Sequence, residues 1–167
     1  MDINYKRRWN QIASNLDDKG AFIASLPGNT RYLGNSESPP GSPPGSTMNF
    51  VIIQKNEEPI AITSSLEEHR CREEASIKDI KCWTIYPDIK SDGKTALDVL
   101  KKTLIENKID NIYSDTKLRL GWSIKSTLSN YVTEMRGVKT EDELERIKKA
   151  VKQSDACLLY TSDAADE

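Results

Sequence analysis

The chain has 167 residues, with 24 Lys and Arg against 26 Asp and Glu, a formal net charge of −2, and 37% hydrophobic and 30% charged residues. That length suits one domain with a modest core, and the composition is foldable rather than disordered. No apolar run approaches the roughly 20 residues of a bilayer span, and a near-zero net charge lacks the basic field of non-specific nucleic-acid binding, so neither membrane nor nucleic acid is an expected partner.

Tyr5, Trp9, Ile12, Ala13 and Leu16 recur on one helical face, which predicts an amphipathic helix over residues 3 to 17, stopped by Gly20. Ala21 to Leu26 is a short, almost wholly apolar run, the character of a strand buried on both faces. Pro27-Gly28-Asn29 then breaks it. Residues 34 to 47, with a doubled Pro-Pro-Gly-Ser, predict a loop, because proline removes amide donors and glycine permits turns. Its length exceeds most structureless connections, so a functional loop and an inert spacer both remain open.

Asn49 to Gln54 and Pro59 to Thr63 bracket Asn56-Glu57-Glu58, a hairpin pattern. Ser65 followed by Glu68 has capping-box spacing and predicts a helix starting near Leu66. Lys81 to Tyr86 reads as a strand ended by Pro87. Asp92 is placed to cap a helix striped by Ala96, Leu97, Leu100 and Leu104, and Asn111 to Ser114 as a short strand after it. Leu120, Ile124, Leu128 and Tyr131 then fall at helical spacing, and Val132 to Met135 reads as a last short strand. Thr140 with Glu143 forms another capping box, ahead of Leu144, Ile147 and Val151 on one helix face. This alternation predicts an α/β fold: a mixed sheet of about five to six strands flanked by helices.

Chemistry is sparsely signalled. The single histidine, His69, lies in Glu67-Glu68-His69-Arg70-Cys71 without a second histidine four residues away, so a solvated helix face is favoured over a ligand role. Asp79, Asp88, Asp115 and Glu134 sit near predicted strand ends, where a nuclease would gather metal-binding carboxylates, yet caps and turns account for them more simply. A small metal-dependent nuclease stays as a minor reading. Trp9, Trp83 and Trp122 fall on apolar faces and read as core rather than as a stacking platform. No glycine triplet of the dinucleotide-binding type opens a helix after a strand. Cys71, Cys82 and Cys157 have no paired spacing and predict reduced thiols. The start, Met1 to Lys6, lacks the apolar stretch of a signal peptide and predicts a cytoplasmic protein.

Glu134-Met135-Arg136-Gly137-Val138-Lys139-Thr140, followed by Glu143-Leu144 and Ile147-Lys148-Lys149-Ala150, resembles the inter-domain linker of the creatinase, prolidase and aminopeptidase P family of pita-bread metallopeptidases. Asn29-Thr30-Arg31-Tyr32-Leu33 is similar to that family's Asn-x-Arg-Tyr-Leu stretch and follows the first predicted strand. The order of elements matches over roughly residues 3 to 156.

The resemblance implies a non-catalytic N-terminal domain of ribonuclease-H-like topology at residues 1–136. Residues 137–156 become the linker and first helix leading into a catalytic domain that this chain lacks. The family's catalytic domain carries two divalent metal ions on two Asp, one His and two Glu. No catalytic or metal ligand carries over to any residue here, and His69 precedes the linker. The implied role is dimerisation and one edge of a peptide-substrate pocket, for which Arg31, Tyr32 and Ser38 are the candidate residues. This fragment is then expected to be inactive, and its parent to be a homodimeric Xaa-Pro peptidase. A stand-alone binding or dimerisation module, or a creatinase-like or lyase-like parent, are the alternatives on the same scaffold. Cys157 to Glu167 resembles the in-frame translation of a transposase-type sequencing adapter, so residues 157–167 are expected to be an artefact, with a natural polar C-terminus as the other reading.

Overall fold

The computed structural model describes residues 3–37, 47–121 and 124–165, with side chains to residue 158. The elements are α1 (Tyr5–Ala13), β1 (Gly20–Ala24), α2 (Pro27–Gly34), β2 (Met48–Gln54), β3 (Ile60–Ser64), α3 (Glu68–Glu74), β4 (Asp79–Trp83), α4 (Ala96–Glu106), β5 (Asn111–Ser114), β6 (Lys125–Leu128), α5 (Tyr131–Gly137) and α6 (Glu141–Ala165). The strands form one sheet in the order β4-β3-β2-β1-β5-β6. Pairs β1/β2 and β2/β3 are antiparallel, whereas β3/β4, β1/β5 and β5/β6 are parallel. The mixed sheet expected from the alternation of patterns is therefore present.

Strand β1 is central, and all five of its residues are buried, as its apolar run demands. Because side chains alternate across a strand, Phe22 and Ala24 face one layer, with Val51, Ile53 and Ala61, under Trp9, Ile12 and Leu33. Ala21 and Ile23 face the other, with Ile52, Ile60, Ile62 and Ile112, under Val99, Leu100 and Leu104 of α4. Each large side chain so buried contributes about 2 kcal/mol of transfer free energy.

The amphipathic stripe near the N-terminus forms α1, shorter than residues 3 to 17. Asn4 caps it by accepting from Arg7 N at 3.0 Å. The hairpin of β2 and β3 and the strand β5 lie where the pattern put them.

Four local expectations differ. Pro27-Gly28-Asn29 ends β1 but also starts α2, because proline at the first helical position has φ preset and needs no amide. Ser65 does not cap α3: its amide donates to Trp83 O, extending the β3/β4 ladder, and Glu68 pairs with Arg72 at 2.7 Å. The helix starts instead at Glu68, after Glu67, with no side-chain cap. Asp92 does not cap α4 either. Its Oδ2 accepts from Cys82 N at 2.8 Å on the open edge of β4, and Thr95 caps α4 by accepting from Asp98 N at 3.1 Å. Strand β4 spans Asp79–Trp83 rather than residues 81 to 86, leaving Ile85 and Tyr86 exposed.

The segment from Leu120 to Met135 inverts the expectation. The helical spacing of Leu120, Ile124 and Leu128 gives edge strand β6, because β5 has backbone groups to pair on that side. The β-branched Val132-Thr133 lies in α5, where Val132 packs fully buried with Met135 one turn on, and packing overrides strand propensity.

Candidate functional site

The two stretches that carry the family resemblance meet in space through a polar relay. Asp115, just past β5, accepts from Ser25 N at 2.8 Å, Ser25 Oγ at 2.8 Å and Leu26 N at 3.1 Å, so it satisfies amides at the entry to α2 that no local side chain caps. Asn29, wholly buried in α2, donates from Nδ2 to Asp115 Oδ2 at 3.0 Å. Its Oδ1 accepts from Arg136 Nη1 of α5 at 2.9 Å. The Arg136 guanidinium lies directly over Gly28, where an added Cβ would come within 2.8 Å of Nη1. A side chain at position 28 would therefore push the guanidinium, the movable end of Arg136, away from Asn29.

A second connection fixes the start of α6. Arg8 of α1 is buried, with Nη2 donating to Glu143 Oε1 at 2.7 Å and Nη1 to Tyr32 O. Its guanidinium also stacks on the Tyr32 ring, 3.7 Å from the centroid. Glu143 completes the capping box read from the sequence: Thr140 N donates to Oε2 at 2.8 Å, and Leu144 N closes the first turn on Thr140 O. Burial pushes the Tyr32 phenol above its ordinary pKa, against the opposing influence of Arg8.

These contacts bound a groove of about 660 Å³ between α2, α5 and α6. Arg31 and Tyr32, two of the residues singled out for a pocket edge, both line it. Arg31 is exposed and paired with Glu37, while Tyr32 is half-buried. Ser38, the third, lies outside the described residues, as do residues 38–46 of the Pro-Pro-Gly-Ser loop and Trp122. Arg8, Asn29 and Asp115 were not picked out for this site from the sequence. Arg8 lies beside Trp9 on a helix face with nothing local to name a partner 135 positions away.

Elsewhere the chemical candidates resolve into structural roles. The His69 side chain is 87% exposed and 3.5 Å from Glu73, a solvated helix face. Asp115 is a capping carboxylate, and among the described residues no group of three or more His, Cys, Asp or Glu side chains could hold a metal ion. Trp9 is core, donating from Nε1 to Leu33 O at 2.9 Å, and Trp83 donates to Asn49 Oδ1. The cysteines are free thiols, with Cys71 and Cys82 buried and Cys157 exposed. Burial, with Glu68 beside it, pushes the Cys82 thiol up to about 12. No helix among the described residues is long and apolar enough to cross a membrane.

No family model matches this sequence, and no curated protein does. Solved structures do. The Xaa-Pro dipeptidase from Bacillus anthracis superposes with a TM-score of 0.67 at 17% identity, covering 94% of this chain and 42% of that one. The X-Pro aminopeptidase from Thermotoga maritima gives 0.66 at 22% identity, covering 92% and 42%. The creatinase/prolidase N-terminal domain of an X-Pro dipeptidase from Streptococcus pyogenes gives 0.53 at 18% identity, covering 79% of this chain and 98% of that domain. The chain thus spans 42% of the length of each of the two full enzymes and nearly the whole of the isolated domain. It has the fold of the creatinase/prolidase N-terminal domain.

Proposed function

We propose that residues 1–136 are the non-catalytic N-terminal domain of an Xaa-Pro peptidase-like metallohydrolase of the cytoplasm. Residues 137–156 form its linker into a catalytic domain, and residues 157–167 are foreign to the protein. The domain dimerises and shapes one edge of a peptide pocket, with Arg31, Tyr32 and Ser38 on that edge and with no nucleic-acid or membrane partner. The observation that carries this reading is the pair of ties beside the groove lined by Arg31 and Tyr32: Asn29 to Arg136 holds α5 to α2, and Arg8 to Glu143 holds the start of α6 to α1. A segment leaving the domain there has a fixed direction relative to those side chains.

Hydrolysis in such an enzyme belongs to two divalent metal ions, which polarise the peptide carbonyl and supply hydroxide. In this reading their ligands belong to the catalytic domain, and this chain is assigned no chemical step. Its own part is to position: Arg31 offers a guanidinium, Tyr32 an aromatic face held by Arg8. The test joins the reading frame beyond Ala156 to this domain and measures turnover of Xaa-Pro dipeptides. Chain 1–167 is expected to be inactive. Tyr32→Ala and Arg31→Ala in the longer protein are expected to change kcat/KM between substrates by about tenfold, the worth of one well-made contact. Unchanged selectivity and unchanged dimerisation would overturn the proposal.

A second reading is favoured by a different observation. Leu144, Ile147 and Val151 stand 42%, 45% and 53% exposed along α6, a surface suited to a stand-alone dimerisation module. A downstream frame lacking two Asp, a His and two Glu in family order would favour it, as it would a creatinase-like or lyase-like parent.

A further inference from the structure

Asp115 reaches the groove through one intermediate side chain. Its donors are the Ser25 amide and hydroxyl, the Leu26 amide and the Asn29 carboxamide, and among the described residues none of these is a cation. The guanidinium of Arg136 takes the other end of the same carboxamide, at 2.9 Å on Oδ1. Wholly buried Asn29 thus stands between a carboxylate and a guanidinium.

The orientation of that carboxamide is dictated from both ends. Turned over, its oxygen would face the Asp115 carboxylate and its NH2 group the Arg136 guanidinium, acceptor against acceptor and donor against donor. Thr133 Oγ1, 3.4 Å from Nδ2, also suits the orientation present. The spacer sets a distance as well. A direct pair with Asp115 would draw the guanidinium in toward the end of β5, whereas one carboxamide further out it lies over Gly28 and lines the same groove as Arg31 and Tyr32.

We propose that Arg136 is a further specificity-determining residue of the pocket edge, and that Asp115 and Asn29 are positioning residues that aim it there. Linked polar groups orient one another, so the influence of Asp115 passes to Arg136 through Asn29. Arg136 is the penultimate residue of α5, which places this aimed side chain at the exit toward α6. The assignment rests on the pocket-edge reading for its link to substrate choice.

Two measurements test it separately. In chain 1–167, the Arg136 Nε–Hε resonance and its nitrogen relaxation report whether the guanidinium is held. It is expected to be held in the unaltered chain and mobile in Asn29→Leu, which removes both hydrogen bonds at similar volume. Asp115→Asn is expected to fall between them, because a carboxamide at that position accommodates Asn29 either way round. In the longer protein, Arg136→Met and Asn29→Leu are each expected to change the ratio of kcat/KM between two Xaa-Pro dipeptides by about tenfold, and the double variant by no more than either single. A purely structural part for Asn29 would act on both substrates alike. Should Asn29→Leu not fold, Asp115→Asn takes its place in the cycle, and its combination with Arg136→Met is expected to equal Arg136→Met alone. Arg70→Met, on α3, is expected to leave the ratio as it was. A mobile Arg136 in the unaltered chain, effects that multiply in the double variant, or a ratio moved by Tyr32→Ala but not by Arg136→Met would overturn the proposal and leave the pocket-edge reading standing. A ratio unmoved by Arg31→Ala and Tyr32→Ala as well would take that reading's claim on substrate choice with it.

Discussion

Arg8 and Glu143, 135 positions apart in the sequence, meet at 2.7 Å with their side chains only 9% and 12% exposed. The pair joins the first helix to the last. Its cost of desolvation is offset by further partners, the Tyr32 carbonyl on Arg8 and the Thr140 amide on Glu143.

Removing one partner strands a shielded charge, so Glu143→Leu is expected to lower unfolding stability by about 3 kcal/mol. The double variant Arg8→Met with Glu143→Leu is expected to recover most of that loss, since an apolar pair of similar volume carries no unpaired charge. Urea denaturation of the two singles and the double forms the cycle. Additive losses would show that the pair does not act as a unit.

Gly28 and Arg136 should be coupled in sign. Glycine within a helix ordinarily costs about 0.5–1 kcal/mol relative to alanine. Here a Cβ would sit 2.8 Å from Arg136 Nη1, so Gly28→Ala is expected to displace that guanidinium from Asn29 and to destabilise. In an Arg136→Ala background the same change is expected to be neutral or stabilising. Thermal midpoints of the four proteins check this reversal.

Alkaline pH should weaken the fold. The Cys82 thiol, ordinarily at 9.0, is held up to about 12 by burial, so the folded state keeps its proton while the unfolded state gives it up. That contribution is fully present below pH 9 and is lost as pH rises from there toward 12. Tyr5 and Tyr32, also raised by burial, act in the same direction. Stability measured by denaturant from pH 8 upward is expected to fall, and Cys82→Ala to flatten the slope. At pH 8, exposed Cys157 is expected to react with a thiol reagent well before Cys71 or Cys82.

The face of α6 should control self-association. Leu144, Ile147 and Val151 lie at helical spacing and are exposed together. Sedimentation of chain 1–167 is expected to show concentration-dependent association that Ile147→Glu abolishes. A monomer at all concentrations would remove the second reading given above.

The sequence by itself determined the elements whose chemistry is local. The buried run of β1, the β2/β3 hairpin and the stripe of α4 are visible because a residue's neighbours at two or four positions set its burial. The Thr140 and Glu143 box is visible because both partners lie within one turn. Even the resemblance rests on contiguous words, Asn29 to Leu33 and Glu134 to Lys139.

Tertiary structure decided what depends on distant partners. Lys125–Leu128 became a strand because β5 had an open edge, and Tyr131–Gly137 a helix because Val132 had a buried place to fill. Asp92 and Ser65, each chemically fit to cap a helix, were claimed by the β4 backbone instead. The groove is wholly of this kind. Its ties run from Arg8 to Glu143 and from Asn29 to Asp115 and Arg136, and no local pattern marks them. A hydrogen bond across a hundred residues is set by where the sheet carries its ends, and sequence spacing holds no record of that distance.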